Sequence, residues 1–187
     1  MQRVKPGWRG KLVKSRPAMT TDDQVVLDAF LHDLSRVQVN KSALGEAKKK
    51  PLLLLLVLGM IKRGVLPENR IRYSDIEQRL SELIAQYGGR PTDSGAKPEQ
   101  PFYHLRTSPF WQLTIPGGLP TGNKKTIAKK VLSGPGAFAQ LHPRLYDVLR
   151  RNPEACDQAV ETILQRWWMP AEATMLRSDL GLDSPEH

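Results

Sequence analysis

The stretch Gln100-Pro-Phe-Tyr-His-Leu-Arg-Thr-Ser-Pro-Phe-Trp-Gln-Leu-Thr-Ile115 gathers Phe102, Tyr103, Phe110 and Trp111 from a chain in which aromatics are only 6% of residues. Two short apolar runs, 102–105 and 110–115, flank a Thr-Ser-Pro turn, which is the pattern of a β-hairpin. Cations lie in or near both runs, Arg106 among them.

Outward from this segment the apolar period becomes helical. Upstream, Leu27, Phe30, Leu31 and Leu34 recur on one face behind Thr21-Asp-Asp-Gln24, which fits a capping box. Residues 37–47 read as a polar connector. Lys48-Lys49-Lys50-Pro51 then leads into Leu52 to Leu56 and an apolar run that ends near Gly64, with the proline tolerated in a first helical turn. Ile71-Arg-Tyr73 is a short strand candidate, and Ser74-Asp-Ile-Glu77 is a second capping box, opening a helix stopped by Gly88-Gly89. Downstream, 116–125 is a glycine-rich basic loop. Residues 125–132, 142–149 and 152–168 are helical, the last two opened by His142-Pro143 and Asn152-Pro153. Helix, short strand, helix, hairpin and basic loop predict a mainly helical α+β domain with a small antiparallel hairpin, winged-helix-like. Residues 1–20 form a basic arm, 21–178 the domain and 179–187 an acidic tail.

Charge narrows the partner. Lys and Arg outnumber Asp and Glu by 28 to 19 over 187 residues, a net +9 with pI 9.8, the electrostatic footprint of a protein that meets a polyanion. The cations cluster in the arm, in Lys48 to Lys50 and in Lys124, Lys125, Lys129 and Lys130. A lysine run is usually a solvated face, but this one lies just before a helix start, where backbone amides and the dipole favour an anion.

Catalytic chemistry finds little support. Cys156 is the only cysteine, so an intrachain disulfide and a multi-cysteine zinc cluster are both excluded. His32, His104, His142 and His187 are scattered without ligand spacing, and no glycine-rich phosphate loop follows a strand. No catalytic residue, metal or cofactor is expected, and Cys156 reads as a buried structural thiol. Trp167 and Trp168 diverge by about 100° if helical and read as core. The apolar run 51–61 is too short to span a bilayer, and no apolar segment follows the basic start, so a cytoplasmic protein without a membrane partner is expected.

Lys50-Pro-Leu-Leu-Leu-Leu-Leu, followed about fifty residues later by Pro101-Phe-Tyr-His-Leu and Phe110-Trp-Gln-Leu, resembles the sulfur-binding domain that recognises phosphorothioate-modified DNA. That family occurs at the front of modification-dependent HNH restriction endonucleases and as stand-alone proteins. The resemblance covers about 33–170 and implies a sulfur cavity at Gln100, Pro101, Phe102, Tyr103 and His104, built on the proline ring. It further implies phosphate contacts from Lys48, Lys49, Lys50 and Arg106, and a base-reading loop holding Thr121, Gly122, Asn123, Lys124 and Lys125. Family members often carry Tyr where Gln100 stands and a small residue near the position of His104. The implied partner is phosphorothioated duplex DNA. No HNH region follows residue 170, so cleavage is expected from a separate protein or from a domain outside this chain. A winged-helix transcription regulator reading unmodified DNA would explain the charge equally well but not the proline-aromatic patch, and a third reading, an interaction module of an enzyme complex, predicts no DNA affinity of its own.

Overall fold

The computed structural model describes residues 18–43, 45–89, 95–120 and 126–183. Its centre is helix α2, Lys49–Lys62, in which Pro51 to Gly59 and Ile61 are all buried. A helix apolar on every side must be surrounded. It is: α3 (Tyr73–Tyr87), α4 (Glu99–His104), α6 (Pro143–Arg151) and α7 (Pro153–Trp167) all pack against it. Helix α1 (Thr21–Arg36) closes the far side by packing on α6 and α7.

The cap of α1 sits one residue earlier than the sequence pattern predicts. Thr20 is the N-cap, its hydroxyl accepting from the Asp23 N–H at 3.1 Å while Asp23 accepts from the Thr20 N–H at 3.2 Å. Asp23 therefore fills the role assigned to Gln24. The second predicted box does not form, because α3 starts at Tyr73 behind Arg72 and carries no side-chain cap. Asn152 likewise caps nothing with its side chain; its Nδ2 donates to the Val148 carbonyl and closes α6 instead.

Both β pairings differ from the sequence reading in place, though the mainly helical class with small antiparallel pairs is as expected. The connector 37–47 contains a hairpin, β1 (Asn40–Ser42) with β2 (Gly45–Ala47), turning at Gly45 with φ +110°. The expected hairpin within 102–115 is absent. Residues 102–104 belong to α4, a 3-10 turn follows at Leu105–Thr107, and only Trp111–Thr114 is a strand, β3. Its partner is β4, Phe138–Leu141, in antiparallel register from Trp111↔Leu141 to Thr114↔Phe138. The reason is burial: Phe102 and Tyr103 are 0% and 1% exposed, which a helical turn packed on α2 and α3 achieves and a two-strand ribbon does not. Ile71 bridges Ala139 and so touches the other edge of β4. Short helices α5 (Lys129–Leu132) and α8 (Pro170–Asp179) complete the chain, and Leu180 and Leu182 beyond α8 are buried against the core. There Leu182 Cδ2 approaches Gly59 closely enough to lie 3.4 Å from a Cβ built on it.

Candidate functional site

α2 opens with lysines, has no acidic residue in its first turn and carries no side-chain cap. A cation at a helix N-terminus opposes the dipole by roughly 0.3–1 kcal/mol. The arrangement disfavours the isolated chain and favours a bound anion. Lys48 sets its Nζ 5.4 Å from the centre of the Trp168 ring and donates its backbone N–H to the Gly88 carbonyl at 3.1 Å. Trp168 is held in turn by its Nε1, which donates to the Tyr87 carbonyl at 3.1 Å. Lys49 and Lys50 follow in the first turn, both half-buried.

Lys50 lies within the field of Arg106. Burial first, and the positive charge of Arg106 second, hold the Lys50 ammonium below its ordinary value of 10.5. Both influences act against the charged form. Arg106 itself is fixed twice: its guanidinium lies 3.6 Å over the Tyr103 ring, and it donates to the Tyr103 carbonyl at 3.2 Å. The fold thus gathers two cations that the sequence separates by half a domain.

Helical winding of α4 also changes how the remaining predicted residues relate. On a strand, Pro101 and His104 would point to opposite faces; on a helix, His104 stands at i+3 from Pro101 and i+4 from Gln100 and so neighbours both. Pro101 is buried, Gln100 and His104 are half-buried. The Tyr103 ring meets that of His104 edge to face, with centroids 5.2 Å apart. Phe102 points elsewhere, packed edge to face on Tyr73 and Trp111 at 5.5 Å each, while Trp111 Nε1 donates to the Phe102 carbonyl at 3.0 Å. Phe102 and Trp111 therefore brace α4 from the core side. Thr121, Gly122, Asn123, Lys124 and Lys125 lie outside the described residues, as does the arm up to residue 17.

Tyr73 sits beneath this segment. Its hydroxyl is buried without a hydrogen-bond partner, and burial, with the charges of Glu77 and Glu99 adding, pushes its pKa upward. The sequence reading missed the supporting roles of Tyr73 and Trp168, because only tertiary packing brings them to the site. Cys156 is sealed in the core, its Sγ 3.4 Å from the Leu58 carbonyl, and burial pushes its thiol up to about 12. Among the described residues no group of three His, Cys, Asp or Glu side chains could hold a metal, and no helix is long and apolar enough to cross a membrane.

The profile of the family described as "ScoMcrA-like, DNA sulfur-binding domain" matches residues 27–185. Among solved structures, the sulfur binding domain of SprMcrA complexed with phosphorothioated DNA is similar over 86% of this chain and 96% of that one, at 21% identity and TM-score 0.69. The corresponding ScoMcrA domain, also complexed with phosphorothioated DNA, matches over 82% and 95%, at 24% identity and TM-score 0.68. In the Type IV phosphorothioation-dependent restriction endonuclease ScoMcrA the match covers 82% of this chain but 32% of that one, at 23% identity and TM-score 0.66. These likenesses are of fold. No curated protein matches the chain.

Proposed function

The chain belongs to the ScoMcrA-like DNA sulfur-binding domain family, and from that premise we propose that it binds phosphorothioate-modified double-stranded DNA and itself catalyses no reaction. The modified phosphate would lie between the α2 N-terminus and α4, its sulfur beside Gln100, Pro101 and His104. The observation that carries this reading is that Arg106 is stacked on Tyr103 of α4 while Lys50, in the first turn of α2, lies within its field, an arrangement of two cations that an anion would relieve. Lys48 and Lys49 extend the positive edge, and Tyr103 stiffens Arg106 from below.

Sulfur replacing a non-bridging oxygen keeps the negative charge but is larger, more polarizable and more weakly hydrated. Against the ring of a buried proline it forms dispersion contacts that oxygen is too small to make. Oxygen there would lose water without gaining a hydrogen bond, at about 1–3 kcal/mol. That is roughly ten- to a hundredfold in affinity. The remaining binding is sequence-blind and salt-dependent. The loop 121–125, by the same family reading, contacts base edges. Cleavage of the DNA lies with another domain or protein, in keeping with the share of the ScoMcrA endonuclease that this chain matches.

Titrating one duplex with and without the sulfur tests the proposal. Wild-type protein is expected to prefer the modified duplex by about ten- to a hundredfold. Pro101→Ala is expected to lose most of that preference while binding the unmodified duplex nearly as before, since it removes an apolar wall and no charge. Equal losses on both duplexes would place the sulfur elsewhere, and a wild-type protein indifferent to sulfur would overturn the reading.

A further inference from the structure

Beyond the α2 N-terminus lies an open groove of about 760 Å³ whose lining the site above does not use. Arg36 contributes from the last turn of α1, Arg166 from the last turn of α7, and Lys41 and Glu46 from the hairpin β1–β2. Three cations thus face one carboxylate. Lys41 and Glu46 are cross-strand partners joined at 2.8 Å. Such an exposed pair contributes at most about 1 kcal/mol, so it is easily opened. Arg166 is held differently, its guanidinium 4.6 Å from the centre of the buried Trp167 ring. A stacked guanidinium keeps its donor edge free and loses little freedom on meeting an anion.

We propose that this groove is a second phosphate-binding surface, which takes the backbone of the same duplex more than about four base pairs away from the modified site. The proposal rests on the reading of the Lys50 and Arg106 site as the sulfur site, and extends the DNA path past it. Continuity supports the extension. Glu46 sits within the fields of Lys41, Lys48 and Arg166, which together hold its carboxyl below the ordinary 4.5. Lys48 does not line the groove but stands between the two sites, two residues along the chain from Glu46, with its Nζ at the Trp168 ring and its charge felt by Glu46.

Helix C-termini attract one cation each, which accounts for Arg36 or Arg166 singly. It does not account for Lys41, which the hairpin brings to the same groove, nor for the charge of Lys48 beside it. A polyanion does. Duplex DNA presents one charge per ~1.7 Å of axis, so a row of cations continuous with a bound phosphate meets further phosphates. Trp167 lines the groove but is 6% exposed and stacked with Arg166, so the surface offers charge with little ring face for stacking bases, which fits a duplex over an unpaired strand.

Duplex length separates this contact from the first. A modified duplex of about eight base pairs, ~27 Å long, centred on the sulfur spans the sulfur site alone, whereas one of about twenty, ~68 Å, reaches the groove as well. Affinity is measured against salt for both, and for the longer duplex without sulfur. Arg36→Ala with Arg166→Ala is expected to lower the salt slope on both long duplexes by about two, leave the preference for sulfur unchanged and leave the short duplex unaffected. Glu46→Gln is expected to tighten binding to the long duplexes severalfold, an effect that a misfolded variant cannot mimic. An unchanged slope on the long duplexes, or the same loss on the short one, overturns the groove. Wild-type protein that binds both long duplexes equally removes the sulfur reading and leaves the groove to be judged on the unmodified duplex. Protein that binds neither overturns both.

Discussion

Lys50 shows how one residue carries a conflict between folding and binding. Its ammonium is partly desolvated and lies near Arg106, and its pKa is lowered from 10.5 on both accounts. Because the folded value is the lower one, the unfolded chain holds the proton more tightly between the two values, and stability rises with pH through that window. At neutral pH the full penalty is present. Lys50→Met keeps the length of the stem and removes the charge, so we expect an unchanged or higher urea midpoint together with weaker binding to modified and unmodified duplexes alike. The salt slope should fall by about 0.9, the share of a single phosphate that is no longer neutralised. A clear loss of stability would show that Lys50 is a packing residue, and an unchanged slope would place it outside the interface. The sequence already singled out Lys50 and Pro101 by type and position. What it hid was that Lys50 folds into the field of Arg106, because no local pattern encodes proximity across so many residues.

At the level of elements, the segment 100–115 was legible as a decisive one and illegible in form. Phe102 to Leu105 is too short for a period to separate helix from strand, and its aromatic content favoured the strand. Tertiary packing decided otherwise, since α4 inserts Phe102 between Tyr73 and Trp111. The true partner of β3 lies beyond a basic loop and a short helix, where a sequence reading has no register to follow. Helix α2 was read correctly as a buried core helix, because an apolar run of that length admits only burial, but it begins at Lys49 and not at Pro51, so two of the three lysines lie inside its first turn. The cap of α1 was displaced by one residue, and its chemistry makes a test. The Thr20 backbone N–H, the Thr20 hydroxyl and Arg151 all favour ionised Asp23 and outweigh its burial, which lowers its pKa from 3.8. A depressed carboxylate contributes stability that is complete above its unfolded value and lost as pH falls through the folded one. Between about pH 5 and pH 2, wild-type protein should therefore lose more stability than Asp23→Asn, measured as the shift in urea midpoint. Parallel declines would mean that the cap and its Arg151 partner do not discriminate the charged form.

For the whole molecule, the connection between β3 and β4 is the feature with the widest reach. Its neck is clamped by the strand ladder and by Gly136, where φ is +77° and an added Cβ would lie 2.9 Å from Pro116 Cγ. Just before α5 the chain is pinned to the body again, by Ile127, which is buried in the core. Closing a longer flexible loop costs only about 0.6 kcal/mol per doubling of length. Inserting six Gly and Ser residues after Pro120 should accordingly lower stability by less than about 1 kcal/mol in a denaturant titration. A larger loss would show that the loop is itself part of the packed body. On that expectation, changes of length after Pro120 carry little thermodynamic penalty, while the neck clamped at Gly136 shields the core from them. On the proposed reading, in which the loop 121–125 contacts bases and α4 the sulfur, descendants of one ancestral domain would diversify in the DNA sequences they favour by insertion and deletion alone, keeping an ancient chemical preference intact beneath a rapidly rewritten one.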